Sequence, residues 1–210
     1  MPVIASTQFF HSEERGGIHL LRITSADGTN RLTRACVLAL TAAVRDLALD
    51  PKPLIITGNE IFFSAGAELA EITALTGPDA LEFSKMGQAL MTEIERFPAS
   101  VYAAINGYCM GGGMDLVLAC HRRIAAPHAV FGHRGAALGL ITGWGGTQRL
   151  PRLVGKAKAL EMFIAAEKIH ATDALRFGLV DAVTENPLAA AARELGSRIH
   201  HGDRKAGTQS

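Results

Sequence analysis

Residues 101–120, VYAAINGYCMGGGMDLVLAC, decide how the rest of the chain is read. The run is about as long as the twenty residues a membrane-crossing helix needs, and Asp115 is its one charge. Gly107, Gly111, Gly112 and Gly113 interrupt its apolar pattern, however. Glycine weakens a continuous helix and opens turns that other residues resist. The stretch therefore reads as a strand over residues 100–105, a turn at Asn106-Gly107-Tyr108, and a buried helix over residues 112–119 that the triple glycine starts. It is a core unit, and no membrane span is expected.

Outward from this unit, strands and helices keep alternating. Residues 18–23 (IHLLRI) are a short apolar run between Gly17 and the turn Ala26-Asp27-Gly28, the mark of a strand. Over residues 33–49, Val37, Leu40, Val44 and Leu47 recur at helical spacing, with Thr33 as N-cap and Asp50-Pro51 as the stop. A buried strand is expected over residues 53–57 and a short helix after FFSAGAEL, residues 62–69. A longer amphipathic helix over residues 78–97 would face inward through Leu81, Met86, Leu90, Ile94 and Phe97.

Downstream, residues 123–126 are strand-like and residues 132–146 loop-rich. Helical segments follow over 148–153, 156–166 and 172–177, then a strand over 179–183 and a last helix over 188–199. This alternation predicts an α/β fold. Residues 1–199 read as one domain and residues 200–210 as a polar C-terminal tail.

Of the 210 residues, 48% are hydrophobic and 20% charged, which excludes long disorder. Lys and Arg total 21 against 20 Asp and Glu, so a net charge of +1 supplies no field for nucleic acid or an anionic membrane. Partners must be read from a local site. Cys36, Cys109 and Cys120 cannot all pair, which favours thiols as small core residues in a reducing compartment. The first five residues lack the basic-then-apolar layout of a signal peptide, so a cytoplasmic location is expected. The eight histidines show no HExxH and no zinc-type spacing, and no metal is expected.

Two glycine-containing segments each follow an apolar strand and open a helix: Ser64-Ala65-Gly66-Ala67-Glu68 and Gly111-Gly112-Gly113-Met114-Asp115. Small residues there let a ligand approach the main chain, and the free N–H groups of a helix start point outward. Two such starts facing one cavity could direct two donors at a single developing oxyanion. Each segment is also explained by tight turns and close packing alone. Neither is a GxxxxGK[ST] or a GxGxxG phosphate cradle.

Taken together, FFSAGAEL, INGYCMGGGMDL and FGHRGAALGLITGWGGTQRLPRLVG resemble the crotonase, or enoyl-CoA hydratase/isomerase, superfamily. Asn30-Arg31-Leu32 is similar to the family's Asn-Ala-Leu turn, and residues 172–181 to its Ala-Leu-x-x-Gly-Leu-Val segment. The resemblance covers roughly residues 15 to 200. It implies a spiral of ββα units with surrounding helices and a shortened C-terminal helical region. It also implies an acyl-CoA thioester as substrate, no cofactor beyond the CoA itself, and a homotrimer or hexamer. The matching oxyanion donors are the amides of Ala67 and Gly112. Main chain near Ala65 would meet the adenine end of CoA, and Arg31 is the candidate for its diphosphate.

Departures from the family pattern bear on the reaction. Hydratases of this superfamily use two glutamates as acid and base. The first falls at Asp115, shorter by a methylene, and the second at Gly135, which has no side chain. Asp115 would be either the retained catalytic acid or a carboxylate offsetting its helix dipole. His133 has suitable acid–base chemistry to stand in for the missing group, or makes a loop hydrogen bond. Trp144 is either an aromatic wall for the acyl group or core filling. Space above Gly135 would hold water or a substrate carboxylate. Hydration or double-bond isomerisation leads; thioester hydrolysis, decarboxylation, carbon–carbon bond chemistry and silent acyl-CoA binding are the alternatives.

Overall fold

Successive passes of the chain lay strands in a large sheet, a four-stranded sheet and a two-stranded ribbon (residues 31–32 beside 66–67), and return through helices. The computed structural model describes the backbone of residues 3–206 and the side chains of residues 5–197. An edge hairpin, β1 (Val3–Ser6) and β2 (Phe10–Arg15), leads into β3 (Ile18–Ile23). The passes that follow are β4 (Arg31–Leu32) with α1 (Arg34–Leu47), then β5 (Leu54–Thr57), β6 (Phe62–Ser64) and β7 (Gly66–Ala67) with α2 (Leu69–Thr73) and α3 (Gly77–Glu95). Next come β8 (Val101–Ile105) and β9 (Tyr108–Met110) with α4 (Gly112–Ala119). The fourth pass holds β10 (Arg122–Ala125), β11 (Val130–Gly132), a 3-10 turn (Arg134–Leu138), α5 (Gly146–Val154) and α6 (Lys156–Ala165). β12 (Ile169–His170), α7 (Ala171–Arg176), β13 (Ala182–Val183) and α8 (Pro187–Ala206) close the fold.

The large sheet runs β1-β2-β3-β5-β8-β10-β13, parallel from β3 onward, and the small one β12-β11-β9-β6. This is the expected α/β architecture. Alternate residues of the large sheet feed two cores. Leu54, Ile56, Val101, Ala103 and Ile105 face the core of α1, α3 and α4, while Ile55, Tyr102 and Ala104 lie under Ala191 and Leu195 of α8. Every residue of β8 and of α4 is buried, which explains the apolar run at 101–120 without a membrane. Among the described residues no helix is long and apolar enough to cross one. Cys36, Cys109 and Cys120 are buried free thiols.

Gly107 turns the chain from β8 into β9. Its φ is +58°, and a Cβ there would lie 1.9 Å from the Ile61 carbonyl oxygen, which also accepts the Tyr108 N–H at 2.8 Å. No side chain fits that corner. At the start of α1, Thr33 accepts the Cys36 N–H as expected, at 3.1 Å. Thr33→Ala should cost about 1 kcal/mol in denaturant unfolding, and an unchanged midpoint would remove the cap from the account.

Some expectations shift. β1 and β2 escape an apolar-run reading because FHSEER buries only Phe10 and Ser12 at an antiparallel edge. In α3 the buried face is Phe83, Gly87, Leu90, Met91 and Ile94; Leu81 is 57% exposed because the helix turns its Gly87 notch to Trp144. Of residues 179–183 only Ala182–Val183 pairs as strand, since the Leu179 and Val180 amides bond back to Ala174. α8 runs through Ala206, so the expected tail is helical over residues 200–206, and residues 207–210 lie outside the described residues.

Candidate active site

β7 and the start of α4 meet at backbone contact distance. Ala65 N–H donates to Thr29 O at 2.9 Å, Gly66 N–H to Ser64 Oγ at 3.1 Å, and Glu68 N–H to Leu32 O at 3.4 Å. Strand amides alternate in direction, so Ala67 N–H points away from β4. A Cβ on Gly112 would lie 3.3 Å from Ala67 N, and one on Gly66 would lie 3.3 Å from Gly112 N. Gly112 is the first residue of α4, and its amide has no intrahelical acceptor. Both residues line a cavity of about 440 Å³.

Ala65, Asp115, His133, Gly135 and Trp144 line the same cavity. Arg31 does not: it is half-exposed and carries Asp27 at 3.2 Å and Glu68 at 3.6 Å. A diphosphate reaching it would compete with two carboxylates. Glu68 caps α2, accepting Ala70 N–H at 3.2 Å.

Asp115 sits one helical turn beyond Gly112 and is 1% exposed. Its Oδ2 accepts the Thr142 hydroxyl, and its Oδ1 lies 3.3 Å from His133 Nε2. Burial pushes the carboxyl up to about 7 against the pull of the Thr142 hydroxyl, the Arg149 guanidinium and the Gly146 amide. Burial also pushes His133 down to about 4. The contact is therefore no fixed ion pair: the imidazole stays neutral while Asp115 titrates around neutrality. The room for both comes from Gly146, where a Cβ would lie 2.1 Å from Asp115 Oδ1 and 2.9 Å from His133 Nε2. Gly146 and Arg149 were not singled out from the sequence; the Gly145-Gly146 pair opening α5 was the available signal.

These shifts have opposite signs for stability. A carboxyl raised from 3.8 binds its proton more tightly when folded, so its contribution falls as pH rises from about 4 to 7. An imidazole lowered from 6.5 loses stability as pH falls from about 6.5 to 4. Asp115→Asn should therefore gain on the parent chain between pH 4 and 7, by on the order of 4 kcal/mol, in unfolding midpoints taken across that range. A pH-independent difference would contradict the raised carboxyl.

Trp144 fills core space and also lines the cavity. Its indole N–H donates to Phe83 O at 3.2 Å, its ring packs on Phe83 at 5.3 Å between centroids, and it fills the notch at Gly87 while lining the cavity. The open space expected above Gly135 is absent in the direction a side chain would take. A Cβ there would lie 2.7 Å from Leu140 O, because the 3-10 turn folds back and Leu140 N–H bonds Gly135 O at 2.8 Å.

Residues 13–209 match the Enoyl-CoA hydratase/isomerase family, and the chain belongs to that family and so to the crotonase superfamily. A probable enoyl-CoA hydratase of Bacillus subtilis (strain 168) is 49% identical over 130 residues, 61% of this chain. The matched part is 50% of that relative, so the chain spans about half of its length. The crotonyl-CoA hydratase of Syntrophomonas wolfei subsp. wolfei is 39% identical over 176 residues, 82% of this chain and 68% of the relative. Among solved structures, Pseudomonas aeruginosa DspI superimposes with a TM-score of 0.86 at 34% identity, covering 93% of this chain and 81% of that one. An enoyl-CoA hydratase from Bacillus anthracis gives 0.85 at 32% identity, covering 92% and 77%.

Proposed function

We propose that this chain hydrates, or shifts the double bond of, an enoyl-CoA thioester. The amides of Ala67 and Gly112 bind the thioester oxygen, and Asp115 takes up and returns the proton exchanged with the acyl carbon. The close approach of the Ala67 and Gly112 backbones at the wall of one cavity, with a buried carboxyl one turn away, supports this above all. Attack at Cβ or proton loss beside the thioester sends an electron pair to the carbonyl oxygen. Two donors aimed there stabilise the enolate more than the ground state. A carboxyl titrating near neutrality both gives and takes a proton at little cost. The cavity volume is within the usual range for a small-molecule site.

Incubating the purified chain with 2-enoyl-CoA thioesters of graded chain length tests this. Loss of the conjugated-enoyl absorbance with a mass gain of one water marks hydration; a moved double bond at unchanged mass marks isomerisation. An acyl group left intact throughout, or free CoA as the product, overturns the proposal.

A further inference from the structure

Gly135 leaves the site with one carboxyl where hydration needs a second proton-transfer position. We propose that His133 is that second group: Asp115 Oδ1 and His133 Nε2 share one proton, and the pair relays it between water and the acyl carbon. This rests on the enoyl-CoA reading above.

The relay follows from the geometry. Asp115 Oδ1 and His133 Nε2 are both buried and lie 3.3 Å apart; His133 Nε2 has no other hydrogen-bond partner, and the other polar contacts of the carboxyl are the Thr142 hydroxyl and the Gly146 amide. With no proton between them, two lone pairs face each other. With both protonated, an imidazolium would be buried beside a neutral acid. One shared proton satisfies both atoms, as Oδ1–H to Nε2 or as Nε2–H to Oδ1. The frame is held in place: Gly111 N–H donates to Gly132 O at 2.9 Å, tying the residue before α4 to the residue before His133. The imidazole packs on Phe163 at 5.3 Å between centroids, and the Thr142 hydroxyl holds the other carboxyl oxygen.

In hydration the pair starts as carboxylate and Nε2–H imidazole. Water bonds through oxygen to Cβ, its O–H bond breaks, and the proton goes to His133 Nδ1. The Nε2 proton passes to Asp115 Oδ1, and the carbon–carbon π pair moves to the thioester oxygen. The reverse relay then delivers a proton to Cα as the carbonyl reforms. One water is consumed and the pair is restored. Of the other ionisable groups, Arg149 of α5 lowers the Asp115 pKa, while the Cys109 thiol of β9 is kept neutral by burial and by the nearby charges of Cys120 and Asp115. Arg134 adjoins His133 in the cavity lining.

Two variants and one spectrum test the relay. Gln at 133 still donates an N–H to Asp115 but carries no proton across, so His133→Gln should keep the melting temperature and KM while kcat falls by about 100-fold or more. The Asp115→Asn/His133→Gln double variant should be no slower than the slower single variant. Independently of turnover, the ring-nitrogen NMR shifts of His133 in the parent protein should pass from the Nδ1–H to the Nε2–H tautomer near pH 7. Asp115→Asn should abolish that change. A tautomer constant from pH 5 to 9, or parental kcat in His133→Gln, overturns the relay. Failure of the parent chain on every enoyl-CoA overturns the substrate reading and the relay's catalytic use, while the tautomer measurement still decides the shared proton.

Discussion

Asp115→Asn should lower turnover of a 2-enoyl-CoA by about 100-fold or more, with the affinity for the thioester little changed. The amide keeps an oxygen for the Thr142 hydroxyl and fills the same volume, so the cavity wall stays in place. It cannot give or take a proton. KM should hold while kcat falls, the pattern of a group that acts in the transition state alone. Asp115→Glu should also be slower than the parent. Oδ1 lies against Gly146, where even a Cβ would come to 2.1 Å, so a longer side chain has to leave this contact and carry its carboxyl away from His133 and Thr142. The shorter side chain is matched to its surroundings. Parental kcat in Asp115→Asn, measured under saturating substrate, would take the carboxyl out of the chemistry.

Much of this was legible in the sequence because it is local. Thr33 as a cap, the helix at Gly112–Ala119 and the corner at Gly107 are set by neighbouring residues, and periodicity with glycine placement reveals them. Family likeness pointed to Ala67 and Gly112 together, and the two backbones do lie side by side, which no local pattern encodes. What stayed hidden depends on separate passes of the spiral coming together. His133 and Asp115 touch because β11 lies beside β9 and Gly132 binds Gly111, a contact with no trace in spacing. Gly135 looked like a vacancy since the sequence records a missing side chain but not the Leu140 carbonyl packed against it. Arg31 looked available to a phosphate, while its charge is already shared by Asp27 and Glu68.

Gly112→Ala should slow turnover by about 100- to 1,000-fold, the loss of one oxyanion donor, though the substitution adds a single methyl group. On helix propensity alone it should help, by about 1 kcal/mol, and no positive φ stands in its way. The new Cβ would instead lie 2.4 Å from Trp144 Cζ3 and 3.3 Å from Ala67 N. Ala67 and Gly112 can serve one oxygen only while β7 and α4 stay this close, so any shift that relieves the methyl also spreads the two donors. Trp144→Phe separates the two effects. Removing the outer indole ring relieves the 2.4 Å clash but leaves the crowding at Ala67. Stability of the double variant should recover the roughly 1–3 kcal/mol that overpacking costs, with kcat still depressed. Recovery of both together would mean that the glycine serves packing against Trp144 and that the Ala67 amide plays no part in holding the thioester oxygen.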